Sequence, residues 1–254
     1  MKKILFAILG LAAIIFASCS KNNQVLKMGT NAAFPPFEYT DGSEIVGFDV
    51  TVSNLIARDY GKELKIIDMS FDGLIAALQA GSIDFIAAGM TATEERRTNV
   101  DFSEAYYSSK QVIIIRSNDN SVLSVKDLAG KSIGVQSGTT GENYANENVA
   151  KATVKSFKTG VDAALALKNS AIDSIILDEL PAKEIVRRNP ELKIVDDDFF
   201  TDEYAIAVKK GNTELLNSIN NTIKTLKENG SYQKLLDAFM PVDGQIRVLS
   251  ASEL

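Results

Sequence analysis

Apolar and polar residues follow two rhythms along the chain between residue 25 and residue 240. Short apolar runs rich in β-branched residues are typical of strands, and apolar residues three and four positions apart are typical of helices. The strand pattern occurs in residues 25–31, 64–69, 84–90, 132–136, 153–157, 173–177 and 192–195. The helical pattern occurs in residues 49–59, 72–80, 141–149, 213–228 and 232–239. Because the two alternate, we predict an α/β fold with mostly parallel sheets flanked by helices.

Two further strands differ from these in their position. Residues 111–115 are strongly β-branched and precede a polar loop, and residues 204–208 form a late strand. If both cross between two lobes, lobe 1 comprises residues 25–106 and 205–254, and lobe 2 is an insertion over residues 107–204. Two crossings restrict the lobes to a hinge motion, and ligands favour the cleft between them.

The first 18 residues have the pattern of an export signal. Lys2 and Lys3 are followed by an apolar stretch that ends near Ala17, and a polar run starts after Cys19. A basic start, a short apolar stretch and small residues at the exit are typical of a signal peptide, here residues 1–18. The stretch is shorter than the ~20 apolar residues that a membrane-spanning helix needs.

The single cysteine lies in a sequence that resembles a lipobox. In such a box the cysteine becomes the lipidated first residue after cleavage, although Phe16 stands in place of the usual leucine. We therefore predict lipidation of Cys19, a linker over residues 19–24, and attachment to the membrane through the lipid anchor only. The alternative is an ordinary signal peptide with an incidental cysteine.

The composition excludes several classes of function. The net charge of −6 leaves no basic surplus for binding nucleic acid. The chain contains no histidine, which excludes histidine-based catalytic triads, general bases and metal ligands. With one cysteine there is no intrachain disulfide and no thiolate cluster. We expect no cofactor, no metal and no catalytic residue.

Several stretches, in order along nearly the whole mature chain, resemble a known family. They are residues 29–39 with 47–50, 71–79, 89–97 with 101–104, 134–140 and 173–178. They are similar to the periplasmic amino-acid-binding proteins of ABC transporters, solute-binding protein family 3, which has glutamine-, lysine- and arginine-binding members. The resemblance implies the type II periplasmic-binding-protein fold, in which two hinge strands join two lobes. It also implies a monomer that binds a free amino acid.

The resemblance implies a grip on both charged ends of the ligand. Arg96 would hold the α-carboxylate, because a guanidinium makes a planar bidentate pair that lysine cannot reproduce. Thr139 and Thr140 would add backbone N–H groups at a helix N-terminus, although simple capping by threonine is the alternative. Asp178 would take the α-ammonium group from lobe 2, although it could instead cap a helix that starts near Pro181.

Further contacts are implied from lobe 1. Gly89 would offer its carbonyl group and Thr91 its hydroxyl group, and Met90 lies between them in the same loop. Phe34 and Phe71 would flank the ligand side chain like two plates, although aromatic residues are more often part of the core. Aromatic plates provide contact area at low entropy cost and also suit a cation.

The residues around the expected pocket favour a neutral ligand, polar or small. Asn31 stands where several binders of basic amino acids are expected to carry an acidic residue. Gln136 replaces a lysine found in some relatives, and Leu177 narrows the pocket beside Asp178. Against this, three acidic residues could approach the pocket and restore affinity for arginine or lysine, namely Glu38, Asp202 and Glu203.

The resemblance implies an extracytoplasmic lipoprotein that closes on an amino acid and delivers it to the permease subunits of an ABC uptake transporter. It would lie in the periplasm or at the outer face of the cytoplasmic membrane. Some dehydratases resemble this fold, and Asp178 or Glu179 could serve as a general acid, although the lack of histidine and cysteine chemistry disfavours an enzyme. A sensor or adhesion lipoprotein that works without a transporter is the other alternative.

Overall fold

The computed structural model describes residues 25–195, 197, 200–240 and 246–254. The predicted signal peptide, Cys19 and the linker 19–24 therefore lie outside the described residues. Within the described residues, no helix combines the length and the apolar character needed to cross a bilayer.

The described residues form fourteen strands and eight α-helices. The strands are β1 (Val25–Thr30), β2 (Ala33–Phe34), β3 (Glu38–Asp41), β4 (Glu44–Val46), β5 (Glu63–Asp68), β6 (Phe85–Ile86), β7 (Val100–Phe102), β8 (Tyr107–Arg116), β9 (Ser132–Gln136), β10 (Thr153–Phe157), β11 (Ser174–Asp178), β12 (Leu192–Val195), β13 (Thr201–Tyr204) and β14 (Ala207–Lys209). The helices are α1 (Phe48–Asp59), α2 (Leu74–Gln79), α3 (Glu94–Arg97), α4 (Thr140–Asn148), α5 (Gly160–Lys168), α6 (Glu179–Arg188), α7 (Thr213–Glu228) and α8 (Ser231–Phe239).

Two larger sheets organise these elements. The lobe 1 sheet has the strand order β5-β1-β6-β14-β7, and the lobe 2 sheet has the order β10-β9-β11-β8-β12. In each sheet one strand runs against the others, β14 in lobe 1 and β8 in lobe 2. A small third sheet, β2-β3-β4, was not expected from the sequence. The α/β class with two mostly parallel sheets is confirmed.

The two antiparallel strands, β8 and β14, each begin just after the chain crosses from one sheet to the other. The chain passes from β7 in lobe 1 into β8 in lobe 2, and from β13 through residues 205–206 into β14. The first four residues of β8 pair with β13, from Tyr107 opposite Tyr204 to Lys110 opposite Thr201. We therefore retain lobe boundaries near residues 106 and 204 as a proposal, with these paired strands as the hinge.

The structure changes the bounds of several predicted elements. The predicted strand 84–90 shortens to Phe85–Ile86, since the chain turns away at Gly89, whose φ is +52°. The predicted helix 72–80 begins as a 3₁₀ turn and becomes α-helical only from Leu74. The N-caps of these two segments are Ser70 and Gly73 and not Asp72, whose carboxylate accepts a hydrogen bond from Ser137 of lobe 2.

An aromatic cluster lies where α1, the small sheet and the crossing strands meet. The Phe37 ring packs edge-on against Phe48, Tyr107 and Tyr204, with centroids 6.2, 5.0 and 5.1 Å apart. Phe37, Phe48 and Tyr204 are completely buried. Because aromatic pairs add to the stability gained by burial, this cluster fixes the hinge strands against lobe 1.

The last described residues pack on lobe 1. Thr51 of α1 donates a buried hydrogen bond to the carbonyl of Leu249 at 2.9 Å, and Leu249 is only 4% exposed. The Ser231 hydroxyl donates to the carbonyl of Leu254 at 3.2 Å. Residues 246–254 are thus part of the packed lobe.

Candidate ligand-binding site

A small cavity lies between the two lobes. Ten of the eleven predicted ligand-binding residues line it. The lining residues are Asn31, Phe34, Glu38, Phe71, Ala88, Gly89, Thr91, Arg96, Gln136, Thr139, Thr140 and Asp178. The predicted set therefore comes together at one place, with a single exception.

Most of these residues lie just beyond the carboxyl ends of parallel strands. Asn31 follows β1, the loop 88–91 follows β6, Gln136 ends β9 and Asp178 ends β11. In open α/β sheets the carboxyl edge is where ligands bind, because loops and helix N-termini meet there. The two sheets present these edges to each other across the cavity, and each contributes one side of the site.

Arg96 is the cation of the site and is only 9% exposed. Its Nη1 donates to the Thr91 carbonyl at 2.7 Å, and its Nη2 donates to the Gly138 carbonyl at 2.8 Å. Its Cζ lies 5.4 Å from the centroid of the Phe71 ring, so Phe71 supports the guanidinium from one side. Burial lowers the pKa of Arg96 from its ordinary value, while Asp202, Glu95 and Asp178 oppose this shift.

Asp178 is the carboxylate that lobe 2 brings to the cavity. It is 7% exposed and precedes the first residue of α6, but its side chain makes no capping hydrogen bond. The Tyr204 hydroxyl instead donates to Asp178 Oδ1. Burial is the main cause that raises the pKa of Asp178 to about 6, and the nearby Asp202 raises it further. The arrangement therefore argues against a capping role for this side chain.

The two threonines at the start of α4 combine capping with a position on the cavity. Thr139 Oγ1 accepts a hydrogen bond from the Glu142 N–H at 3.3 Å, so it caps the helix as the simpler alternative requires. Thr140 Oγ1 donates to Asp202 Oδ2 at 3.0 Å. Both hydroxyl groups are thus engaged within the protein, and capping coexists with exposure to the cavity.

Side-chain hydrogen bonds join the lobes across the cleft. Besides the bond from Arg96 to Gly138, Gln136 Nε2 donates to Asn31 Oδ1 at 2.9 Å, and Ser137 Oγ donates to Asp72 Oδ2 at 3.1 Å. The predicted pocket residues Asn31 and Gln136 therefore bond directly to each other. The structure represents a closed arrangement of the lobes.

Glu38 contributes a third ionisable group to the cavity. It pairs with Phe34 across β2 and β3, and both line the cavity because paired residues share one face of a hairpin. Glu38 is 1% exposed, and burial raises the pKa of its carboxyl group well above the ordinary value. The other two acidic candidates have different surroundings. The Asp202 carboxylate accepts a hydrogen bond from the Gln111 side chain at 2.7 Å, and Glu203 is exposed.

Met90 is the one predicted binding residue that does not line the cavity. It is 1% exposed and packs in the lobe 1 core with Ile86 and Ala88. The apolar neighbours Ala87 and Ala88 are buried as well, so the apolar character of this stretch is the signal in the sequence for a core position. Leu177 is likewise buried in the core and does not narrow the cavity.

Comparisons with known proteins give consistent findings. The family described as bacterial extracellular solute-binding proteins, family 3, matches residues 26–242. The chain is 38% identical over 216 residues to a probable histidine-binding protein of Campylobacter jejuni, covering 84% of each chain. It is 34% identical over 249 residues to the arginine-binding extracellular protein ArtP of Bacillus subtilis, covering 92% of this chain and 96% of the other.

A solved structure has a fold similar to that of this chain. An ancestral arginine-binding protein bound to arginine superimposes with a TM-score of 0.81 at 39% identity, covering 85% of this chain and 98% of the other. The relatives named here bind basic amino acids by their descriptions. These descriptions give no support to the preference for a neutral ligand that Asn31 and Gln136 suggested.

Proposed function

Because the chain belongs to the bacterial extracellular solute-binding proteins of family 3, we propose that it captures a free basic amino acid, arginine first, between its two lobes. It then presents the closed complex to an ABC uptake transporter. The observation that carries the choice of a basic ligand is Glu38, a buried carboxyl group that lines the cavity together with Phe34 and Phe71. An arginine side chain would lie between the two rings and end at Glu38.

The backbone groups of the ligand would be gripped by opposite lobes. Arg96 would take the α-carboxylate with the N–H groups that its bonds to Thr91 and Gly138 leave free, since a guanidinium has five N–H donors. Asp178 would take the α-ammonium. A ligand held in this way contacts both lobes and so binds the closed form better than the open form. Moving from mostly open to mostly closed requires about 5.5 kcal/mol of differential affinity.

The test of the ligand class is titration calorimetry with arginine, lysine, histidine and glutamine on the purified protein. We expect arginine to bind, and Glu38→Gln to weaken arginine binding by about tenfold or more, because a charged hydrogen bond is lost. The matched control is Glu203→Gln, which removes an exposed carboxylate near the hinge and leaves affinity unchanged. Failure of arginine to bind would contradict the choice of a basic ligand, and equal arginine affinity of Glu38→Gln and the unmodified protein would contradict the role of Glu38.

We also propose that the protein is exported and anchored by a lipid on Cys19. The expected result is incorporation of labelled fatty acid into the intact protein and none into Cys19→Ala. If the intact protein and Cys19→Ala are both released in soluble form without label, the lipid anchor is contradicted. The binding experiments above do not depend on this outcome.

A further inference from the structure

Two buried carboxyl groups, Glu38 and Asp49, meet behind the ligand cavity. Asp49 lies in the first turn of α1, and its N–H donates to the carbonyl of Phe37 at 2.9 Å. The preceding N–H, of Phe48, donates to Pro36 at 3.0 Å, so the start of α1 is fixed to the chain just before Glu38. Glu38 and Asp49 are each 1% exposed.

Two of the four carboxyl oxygens of this pair lack a hydrogen-bond donor among the described residues. Asp49 Oδ2 accepts hydrogen bonds from the Gly89 N–H at 2.9 Å and from the Tyr106 hydroxyl at 2.7 Å. Asp49 Oδ1 and Glu38 Oε2 are both buried, and neither has a hydrogen-bond donor among the described residues. Two ionised oxygens left in this way would carry a large desolvation cost. A single proton shared between the side chains removes that cost, since one carboxyl group then donates to the other.

We propose that Glu38 and Asp49 share one proton, carried mainly by Glu38, and that a cationic ligand side chain displaces it while a neutral side chain leaves it in place. The inference rests on the proposed function, because it takes the cavity as the place of the ligand side chain. It assigns Asp49 as a positioning residue that sets the protonation of Glu38 without touching the ligand.

The electrostatics of the cluster place the proton on Glu38. Burial is the main cause that raises the pKa of Glu38, and the negative charge of Asp49 beside it raises the pKa further. For Asp49, burial raises the pKa to about 6, but the hydrogen bonds from Gly89 and Tyr106 oppose this. The titratable and charged groups that face the pair are Tyr106, Asp178 and Asp68, with Arg96 on the same cavity.

This arrangement provides a counter-charge only when the ligand needs one. A guanidinium that enters the cavity favours ionised Glu38, and the proton leaves to solvent. If one proton leaves per ligand, arginine affinity rises about tenfold per pH unit. A neutral amide side chain can instead donate an N–H to a Glu38 oxygen while the shared proton stays between Glu38 and Asp49, and its affinity lacks this dependence. The cavity can therefore hold a basic ligand with Asn31 in place of an acidic residue.

The experiment counts protons. Titration calorimetry of arginine and of glutamine at pH 7, each in phosphate and in Tris, gives the protons released from the buffer dependence of the enthalpy. We expect arginine to release up to about one proton more than glutamine. Asp178 cancels from this comparison, because both ligands carry the same α-ammonium group.

A second measurement does not depend on a neutral ligand. Infrared difference spectra of the protein with and without arginine should show the loss of a protonated-carboxyl band. We expect this band change to be absent in Glu38→Gln and reduced in Asp49→Asn, whose amide cannot raise the Glu38 pKa by charge. Glu203→Gln, the exposed control, should keep it.

The outcomes separate the two proposals. Failure of arginine to bind at all would overturn the proposed function. Arginine binding with the same proton count as glutamine, and with no loss of the protonated-carboxyl band, would overturn the shared proton and leave the function standing. A band change that persists in Glu38→Gln would also overturn it.

Discussion

At the scale of single residues, the site sets a buried cation and a buried acid on opposite lobes. Arg96 and Asp178 both line the cavity and are each less than a tenth exposed. The hydrogen bonds of the Arg96 guanidinium go to two backbone carbonyls, and Asp178 is held by the hinge residue Tyr204. In the closed arrangement the protein therefore holds each side chain in position for a ligand, which lowers the entropy cost of binding.

Arg96→Lys should abolish measurable binding at micromolar ligand while the protein stays folded. Lysine keeps the positive charge, but it loses the planar fork that reaches Thr91, Gly138 and a carboxylate together. Loss of two charged hydrogen bonds corresponds to roughly 100-fold or more in affinity. Calorimetry measures the affinity and circular dichroism the fold. Arg97→Lys is the matched control, because Arg97 is the exposed neighbour in α3.

Asp178→Asn should remove binding yet stabilise the protein without ligand at pH 8. The pKa of Asp178 rises from 3.8 to about 6 on folding, so the folded state holds the proton more tightly than the unfolded state. Proton binding by Asp178 therefore contributes about 3 kcal/mol to the free energy of unfolding below about pH 4. This contribution is lost as the pH rises through about 6. Asparagine carries no charge to bury.

The measurement for Asp178→Asn is thermal unfolding of the ligand-free protein from pH 4 to pH 8. We expect the midpoint of the variant to vary less with pH than that of the unmodified protein, and to lie above it at pH 8. A lower midpoint at pH 8 would show that the buried carboxylate stabilises the fold.

At the scale of elements, the loop after β6 shapes the cavity through one glycine. Gly89 has a φ of +52°, and a Cβ atom there would lie 2.7 Å from Cε1 of Phe34. The Gly89 N–H also donates to Asp49. The position thus requires both a left-handed backbone and the lack of a side chain, and it joins the aromatic plate to the carboxyl pair.

Gly89→Ala should weaken both folding and ligand binding. The left-handed backbone costs roughly 1–2 kcal/mol for alanine, and displacement of Phe34 adds to this and deforms the cavity. Gly42→Ala is the matched control, since Gly42 has a φ of +60° with nothing within 4 Å of an added Cβ. Urea denaturation and calorimetry compare the two, and we expect only Gly89→Ala to lose affinity. Equal affinity in both variants would contradict the contact with Phe34.

The sequence predicts best those elements whose bounds are set locally. Residues 132–136, 153–157, 192–195 and 213–228 have the predicted bounds in the structure. The last of these begins after Asn212, whose side chain accepts a hydrogen bond from the Leu215 N–H at 3.4 Å. Capping and apolar periodicity are both visible in the sequence, so no tertiary contact is needed to place such ends.

Tertiary contacts explain what the sequence did not predict. The polar strand β13 (Thr201–Tyr204) has no apolar run, and it exists because β8 offers it a partner. The site residues at strand ends followed from the resemblance, but the orientation of Glu38 depends on its pairing with Phe34. Met90 was misplaced because the loop motif gives its position in the chain and not the face on which its side chain lies.

At the scale of the whole molecule, closure depends on a few polar contacts between lobes. The bond from Ser137 to Asp72 lies outside the set of residues that line the cavity. It therefore stabilises the closed form without contacting the proposed ligand. Because the apparent affinity scales with the fraction of binding-competent protein, contacts of this kind tune affinity from a distance.

Ser137→Ala should weaken arginine binding by about twofold, because the closed form loses one partly exposed hydrogen bond. Ser132→Ala is the matched control, because it removes a bond of the same kind, to Asp173 at 2.7 Å, within lobe 2 alone. Small-angle scattering of the ligand-free protein should show a larger radius of gyration only for Ser137→Ala. If the control shows the same loss of affinity, closure is not the cause.

The proposed insertion of lobe 2 into lobe 1 affects the order in which the chain can form its two sheets. Strands β8 to β13 all come from one continuous stretch, so the lobe 2 sheet can be complete as soon as residue 204 has emerged. In the other sheet β14 lies between β6 and β7, and it emerges only afterwards. Until then β6 and β7 have unpaired edges of the kind that invite aggregation. The interval during secretion between residues 102 and 209 is therefore the stage at which this chain most needs protection.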